Sequence, residues 1–118
     1  MHGSDKKPGE GGLTLTGPLM KGKRGLIMGV AFGKRVKPLA ESVGSKILLP
    51  CDVTDSQSMD AVFRTLKAEW GTIDFVVHAI AYSDKSELKG RYADTSRENF
   101  LRSMDISCFS FVEVARRA

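Results

Sequence analysis

The sequence predicts an α/β domain built on a parallel sheet. Three short apolar runs, at 24–29, 46–50 and 73–78, read as buried strands. Stretches of helical periodicity alternate with them. That order implies parallel strands joined by right-handed crossovers.

The elements follow in chain order. Residues 1–12 are polar and Gly-rich and read as a disordered tail or a remnant of expression; 13–118 reads as the N-terminal part of one nucleotide-binding domain, its doubly wound sheet incomplete. Leu13 to Met20 is a lead-in with a turn at Gly17-Pro18. The run Arg24-Gly25-Leu26-Ile27-Met28-Gly29 predicts the first strand. Gly33 to Val43 is helix-like and ends at Gly44, a suitable C-terminal residue; Pro38 requires that the helix begin only just before it. Lys46-Ile47-Leu48-Leu49-Pro50 predicts a second strand, and Asp52-Val53-Thr54-Asp55 a turn in which Thr54 or Asp55 caps the next helix. Met59, Val62, Phe63, Leu66 and Trp70 recur at helical spacing, so one face of 56–70 is core; Gly71 stops it. The run Ile73 to His78 predicts a third strand, and Ala81 to Asp94 a polar loop. Thr95-Ser96-Arg97-Glu98 reads as a capping box with Thr95 as the cap. The helix from Ser96 to Arg117 has apolar residues on two sides, enough for its own sheet and a second subunit. The fold class is therefore a Rossmann-like, doubly wound parallel sheet.

Composition narrows the function classes. At 42% hydrophobic and 27% charged, the 118 residues suit a globular domain. No apolar run approaches the roughly 20 residues of a membrane helix. The net charge of +4 gathers in the first third without the interleaved aromatics that stack bases, so it reads as solvated surface, not as a nucleic-acid site. Cys51 and Cys108 lack metal-ligand spacing and read as small buried residues in a reduced, cytoplasmic setting. No metal site is expected, His78 having no second histidine near it.

In such sheets the ligand lies beyond the carboxyl ends of the strands. The segments there are Gly29-Val30-Ala31, Asp52-Val53 and His78 through Ser83. Gly29 either lets the backbone approach a pyrophosphate or simply turns the chain. Asp52 either accepts a bond from an adenine amino group, with Val53 against the ring, or caps its turn. His78 reads as a packed, hydrogen-bonded residue. Tyr82 and Tyr92 flank a loop with Lys85 and Lys89, a spacing that fixes no catalytic geometry.

Together these segments resemble the bacterial NADH-dependent enoyl-acyl-carrier-protein reductases, a divergent branch of the short-chain dehydrogenase/reductases. The resemblance is carried by 19–31, Gly33-Lys34-Arg35-Val36 to Cys51-Asp52-Val53-Thr54, Asp74 to Ser83 and Asp105 to Phe111, and it covers about 100 of the residues, with only the tail outside it. Standard members of the superfamily carry Asn-Asn-Ala-Gly where His78-Ala79-Ile80-Ala81 stands, and an Asn near Ser107; both departures fit the reductase branch.

The resemblance implies reduction of the trans-2 double bond of an enoyl-acyl-carrier-protein thioester in fatty acid biosynthesis, with NADH. It implies cofactor contacts at Gly29, Ala31, Asp52, Val53, Ile80 and Ala81, and substrate contacts at Tyr82 and Ser83, the latter through its backbone. It implies a homotetramer built through the helix from Ser96 to Arg117. The family's catalytic Tyr and Lys are expected beyond Ala118. The join Ala31–Phe32 departs from the family, which has the rest of the cofactor loop, a helix and a strand there, roughly 35–40 residues. That stretch would also separate NADH from NADPH, so NADPH stays open. The alternatives are a truncated, non-catalytic interaction module and another dehydrogenase of the same superfamily.

Overall fold

The computed structural model describes residues 18–30 and 34–118. The 1–12 tail, residues 13–17 of the Leu13–Met20 lead-in, Ala31, the 31/32 join and Gly33 at the start of the expected first helix lie outside the described residues.

Strand β1 (Gly25–Met28) pairs in parallel with β2 (Phe75–His78), in the register Gly25 with Phe75 through Met28 with His78. Both strands come from runs that the sequence marks as buried, and both are shorter than those runs. The ladder is tied at each end: the Asp74 amide donates to the Arg24 carbonyl at 2.8 Å, and the Ala79 amide to the Met28 carbonyl at 3.1 Å. The Asp74 carboxylate returns the bond by accepting from the Arg24 amide.

Helix α1 (Val36–Ser42) begins two residues before Pro38, where a missing N–H costs nothing. It ends before Gly44, whose φ is +76°. Helix α2 (Ser56–Trp70) is capped by Asp55, whose carboxylate accepts from the Gln57 amide. Its apolar stripe packs as the periodicity predicts: Met59, Val62 and Leu66 are buried. Met59 and Val114 join Met28 in the core, with Leu26, Val53, Phe63, Val76 and Ile80 against them. Burying a side chain such as Met59, which is 1% exposed, contributes about 1.5–3 kcal/mol.

The long C-terminal helix is in three parts. Helix α3 (Arg97–Met104) passes through a π turn (Asp105–Phe109) into α4 (Ser110–Arg117). The cap is Ser96 instead of the expected Thr95. Ser96 Oγ accepts from the Asn99 amide, and the return bond comes from Glu87, not from Glu98. A carboxylate from the preceding loop thus does what the capping box assigns to the helix itself. Arg117 ties α4 to α2 by donating to Asp60 at 2.7 Å and to Ser56 at 2.9 Å.

One expected strand is not a strand. Residues 46–50 carry no regular ladder, and the sheet among the described residues has two strands. A strand needs a neighbour to pair with, and among the described residues none lies beside 46–50. In its place is an apolar groove of about 690 Å³ between β1, α1 and 47–49. Ile27 is 61% exposed and Val43 81% exposed along it. The two cysteines also differ from expectation: both are exposed.

Candidate functional site

The carboxyl ends of the strands converge. Gly29, Val30, Cys51, Val53 and Ile80 line the same end of the groove, so the fold brings three of the expected cofactor residues, Gly29, Val53 and Ile80, to one place. Asp52 lies beside them on the exposed side of its turn, and Ala81 follows Ile80 at the surface.

Gly29 has a structural reason to be glycine. Its φ is +104°, and a Cβ there would sit 1.7 Å from the Ala79 carbonyl oxygen. The tight approach of the two strand ends therefore demands it. Asp52 Oδ1 accepts from the Thr54 amide at 2.9 Å and from the Thr54 hydroxyl at 2.6 Å. These bonds hold the Asp52 carboxyl below the usual carboxylate range, so it is an acceptor fixed in position at neutral pH. Cys51 next to it has its thiol pushed up, by burial first and by the Asp52 charge second. That is the opposite of an activated nucleophile.

His78 is a packing residue. Ser110 Oγ donates its one proton to the Ile106 carbonyl at 2.6 Å, which leaves its oxygen to accept from His78 Nε2 at 2.8 Å. Nε2 therefore carries a proton in this contact. The ring meets Phe111 edge-on at 5.6 Å.

The loop after β2 is held by α3 and the π turn. Ser107 Oγ accepts from the Tyr82 amide at 2.9 Å and donates to the Tyr82 carbonyl at 3.2 Å. Asn99, 8% exposed, accepts on Oδ1 from the Asp84 amide at 2.9 Å. Its Nδ2 lies 3.4 Å from Ser83 Oγ. The Arg102 guanidinium covers the Tyr82 ring at 4.9 Å. Tyr92, by contrast, is 81% exposed and belongs to a separate turn (Tyr92–Asp94). Sequence reading missed Asn99 and Ser110. The available signal was a run of polar residues four apart (Asn99, Ser103, Ser107) on a face where a helix normally buries apolar ones.

Among the described residues no group of three His, Cys, Asp or Glu is placed to hold a metal, and no helix is long and apolar enough to cross a membrane.

The fold recurs in known proteins. The family model described as enoyl-(acyl carrier protein) reductase matches residues 27–118. The enoyl-acyl-carrier-protein reductase (NADH) 2 of Rhizobium meliloti is 54% identical, over 85% of this chain and 48% of its own length. Among solved structures, the reductase of Anaplasma phagocytophilum in complex with NAD superposes with a TM-score of 0.82 at 50% identity, over 87% of this chain and 50% of that one. FabI from Candidatus Liberibacter asiaticus superposes with a TM-score of 0.80 at 47% identity, over 84% and 49%. The chain thus spans about half the length of the curated relatives it matches. With a family match over most of its residues and the same parallel strand ends in place, this chain belongs to the enoyl-(acyl carrier protein) reductase family.

Proposed function

We propose that the protein to which this chain contributes reduces the trans-2 double bond of an enoyl-acyl-carrier-protein thioester with NADH, as a step of fatty acid biosynthesis. The observation that carries this is the 50% identity, over 87% of this chain, to a reductase solved in complex with NAD. NADH, when bound, supplies hydride to the β carbon of the enoyl thioester. The residues here fit such a group. Val53 and Ile80 offer an apolar wall, Asp52 a positioned acceptor for an adenine amino group, and Gly29 and Ala81 small neighbours at the strand ends. Ala31 belongs to the same set in this reading. NADPH is the alternative cofactor.

Tyr82 and Ser83 border the acyl chain in this reading, with Ser83 offering its backbone. The Tyr and Lys that stabilise the developing enolate would come from the half of the relatives' length that this chain does not span.

We further infer that a stretch is missing between Ala31 and Phe32. The alignment to the Rhizobium meliloti relative runs over 128 positions but takes in 85% of this chain, about 100 residues. About 28 positions of the relative therefore face no residue here, fewer than the roughly 35–40 expected from the resemblance. The open groove beside β1 is where a strand and helix of that stretch would pack.

The exposed Phe100, Leu101, Met104, Phe109, Phe111 and Val112 make α3–α4 the natural face for a homotetramer. The partner in the reaction is an acyl carrier protein bearing the thioester, and the setting is the cytoplasm.

Steady-state turnover of the protein at its full native length tests the reading. NADH oxidation dependent on an enoyl thioester supports it. Oxidation of alcohols or reduction of ketones alone would make it another dehydrogenase. No turnover of any of these would leave an interaction module.

A further inference from the structure

The loop after β2 is fastened at consecutive residues by one polar line on the C-terminal helix. Asn99, Ser103 and Ser107 are four residues apart, so they share a face. In an uninterrupted α-helix, eight residues overshoot two turns by about 80°. The wider π turn at Asp105–Phe109 takes back part of that rotation and keeps Ser107 over the same loop as Asn99.

The bonding pattern is specific. Ser107 uses its one hydroxyl to satisfy both backbone groups of Tyr82, the amide at 2.9 Å and the carbonyl at 3.2 Å. Asn99 accepts from the Asp84 amide at 2.9 Å and is itself steadied by Ser103 Oγ at 3.3 Å and by its own amide on Ser96 Oγ. Asn99 Nδ2 reaches toward Ser83 Oγ. The backbone on the two sides of Ser83 is thus pinned, and none of these bonds uses the Ser83 backbone itself. Neither Asn99 nor Ser107 is needed to bury apolar surface, and an apolar residue at either position would leave part-buried loop amides without partners.

We propose that Ser107 and Asn99 are positioning residues, which act through Tyr82 and Asp84 to hold the Ser83 backbone in register for the acyl thioester. This rests on the functional reading above, in which Tyr82 and Ser83 border the acyl chain. A backbone donor placed this way contributes only when fixed before substrate arrives, because a loose loop must be ordered at each binding event.

The test is kinetic and is made on the protein at its full native length. Ser107→Ala raises KM for an enoyl thioester about five- to tenfold, in the range of one lost hydrogen bond, and leaves KM for NADH unchanged. Ser107→Thr, which keeps the hydroxyl, restores most of the loss. Equal rises in both KM values, or no change in either, overturn the proposal. Amide hydrogen exchange of the unsubstituted protein gives an independent reading should Ser107→Ala fail to fold. The Tyr82 and Asp84 amides exchange at least about tenfold more slowly than free peptide. Free-peptide rates at both overturn the proposal. A protein that turns over no enoyl thioester overturns the functional reading instead, while slow Tyr82 exchange would still show the clamp itself.

Discussion

The two sides of the short sheet are built to different standards. On the side of β2, the elements bond and pack to one another, although the outer face of α3–α4 is itself apolar and exposed. The loop after β2 bonds to α3 and the π turn, Met59 and Val114 close the core, and Arg117 links α4 to α2. On the side of β1, α1 stands over an apolar groove, and 46–50 runs without a ladder. The residues on the open side are no less apolar. Ile27, Leu39 and Val43 are as suited to a core as Met59 is, yet they are exposed. What differs is the presence of a partner element. An apolar strand forms and is buried only when the strand beside it exists to pair and cover it.

This contrast can be broken or sharpened by substitution. The largest effect is expected at Met59, 1% exposed. Met59→Ala should cost about 2–5 kcal/mol in urea denaturation, through lost transfer energy and a cavity. Next is Gly29→Ala, which must relieve a Cβ placed 1.7 Å from the Ala79 oxygen at a φ of +104°. A cost of at least about 1–3 kcal/mol is expected, and reduced NADH affinity should accompany it at full length. Ser96→Ala should cost about 1 kcal/mol by removing the α3 cap and one of the bonds to Glu87. The smallest effect is at Ile27 on the open side. In this chain Ile27→Ala should cost under about 1 kcal/mol, since 61% of the residue is exposed. At full native length the same substitution should rise toward about 2–5 kcal/mol, because a packed strand would then cover it. Equal costs in the two lengths would contradict the account of the groove.

Much of this was legible in the residues. Hydrophobic runs and helical periodicity marked β1, β2 and α2, and Pro38 fixed where α1 can begin. Fold logic groups the segments at Gly29, Asp52-Val53 and His78 through Ser83, and Gly29, Val53 and Ile80 do line one groove, although the run before Val53 is not a strand. What escaped was non-local. The strand at 46–50 was judged by its own apolar content, and pairing depends on a neighbour. Glu98 three residues on makes Thr95 the cap in the sequence, whereas Glu87 reaches Ser96 from across the loop. Asn99 and Ser110 looked like ordinary polar positions on a helix; only their contacts with Asp84 and His78 give them meaning. Cys51 and Cys108 were assigned to the core by residue type, and the open groove and helix face leave both exposed.

We propose above that the strand ends form the cofactor cradle of a nicotinamide-dependent enoyl thioester reductase. Titrating NADH into the isotope-labelled protein at its full native length, and following the amide signals, tests it most directly. The account predicts saturable shifts concentrated at Gly29, Asp52, Val53, Ile80 and Ala81, with Tyr82 and Ser83 moving further when an enoyl thioester is added. Saturable shifts confined to other surfaces, with these amides unmoved, would contradict it.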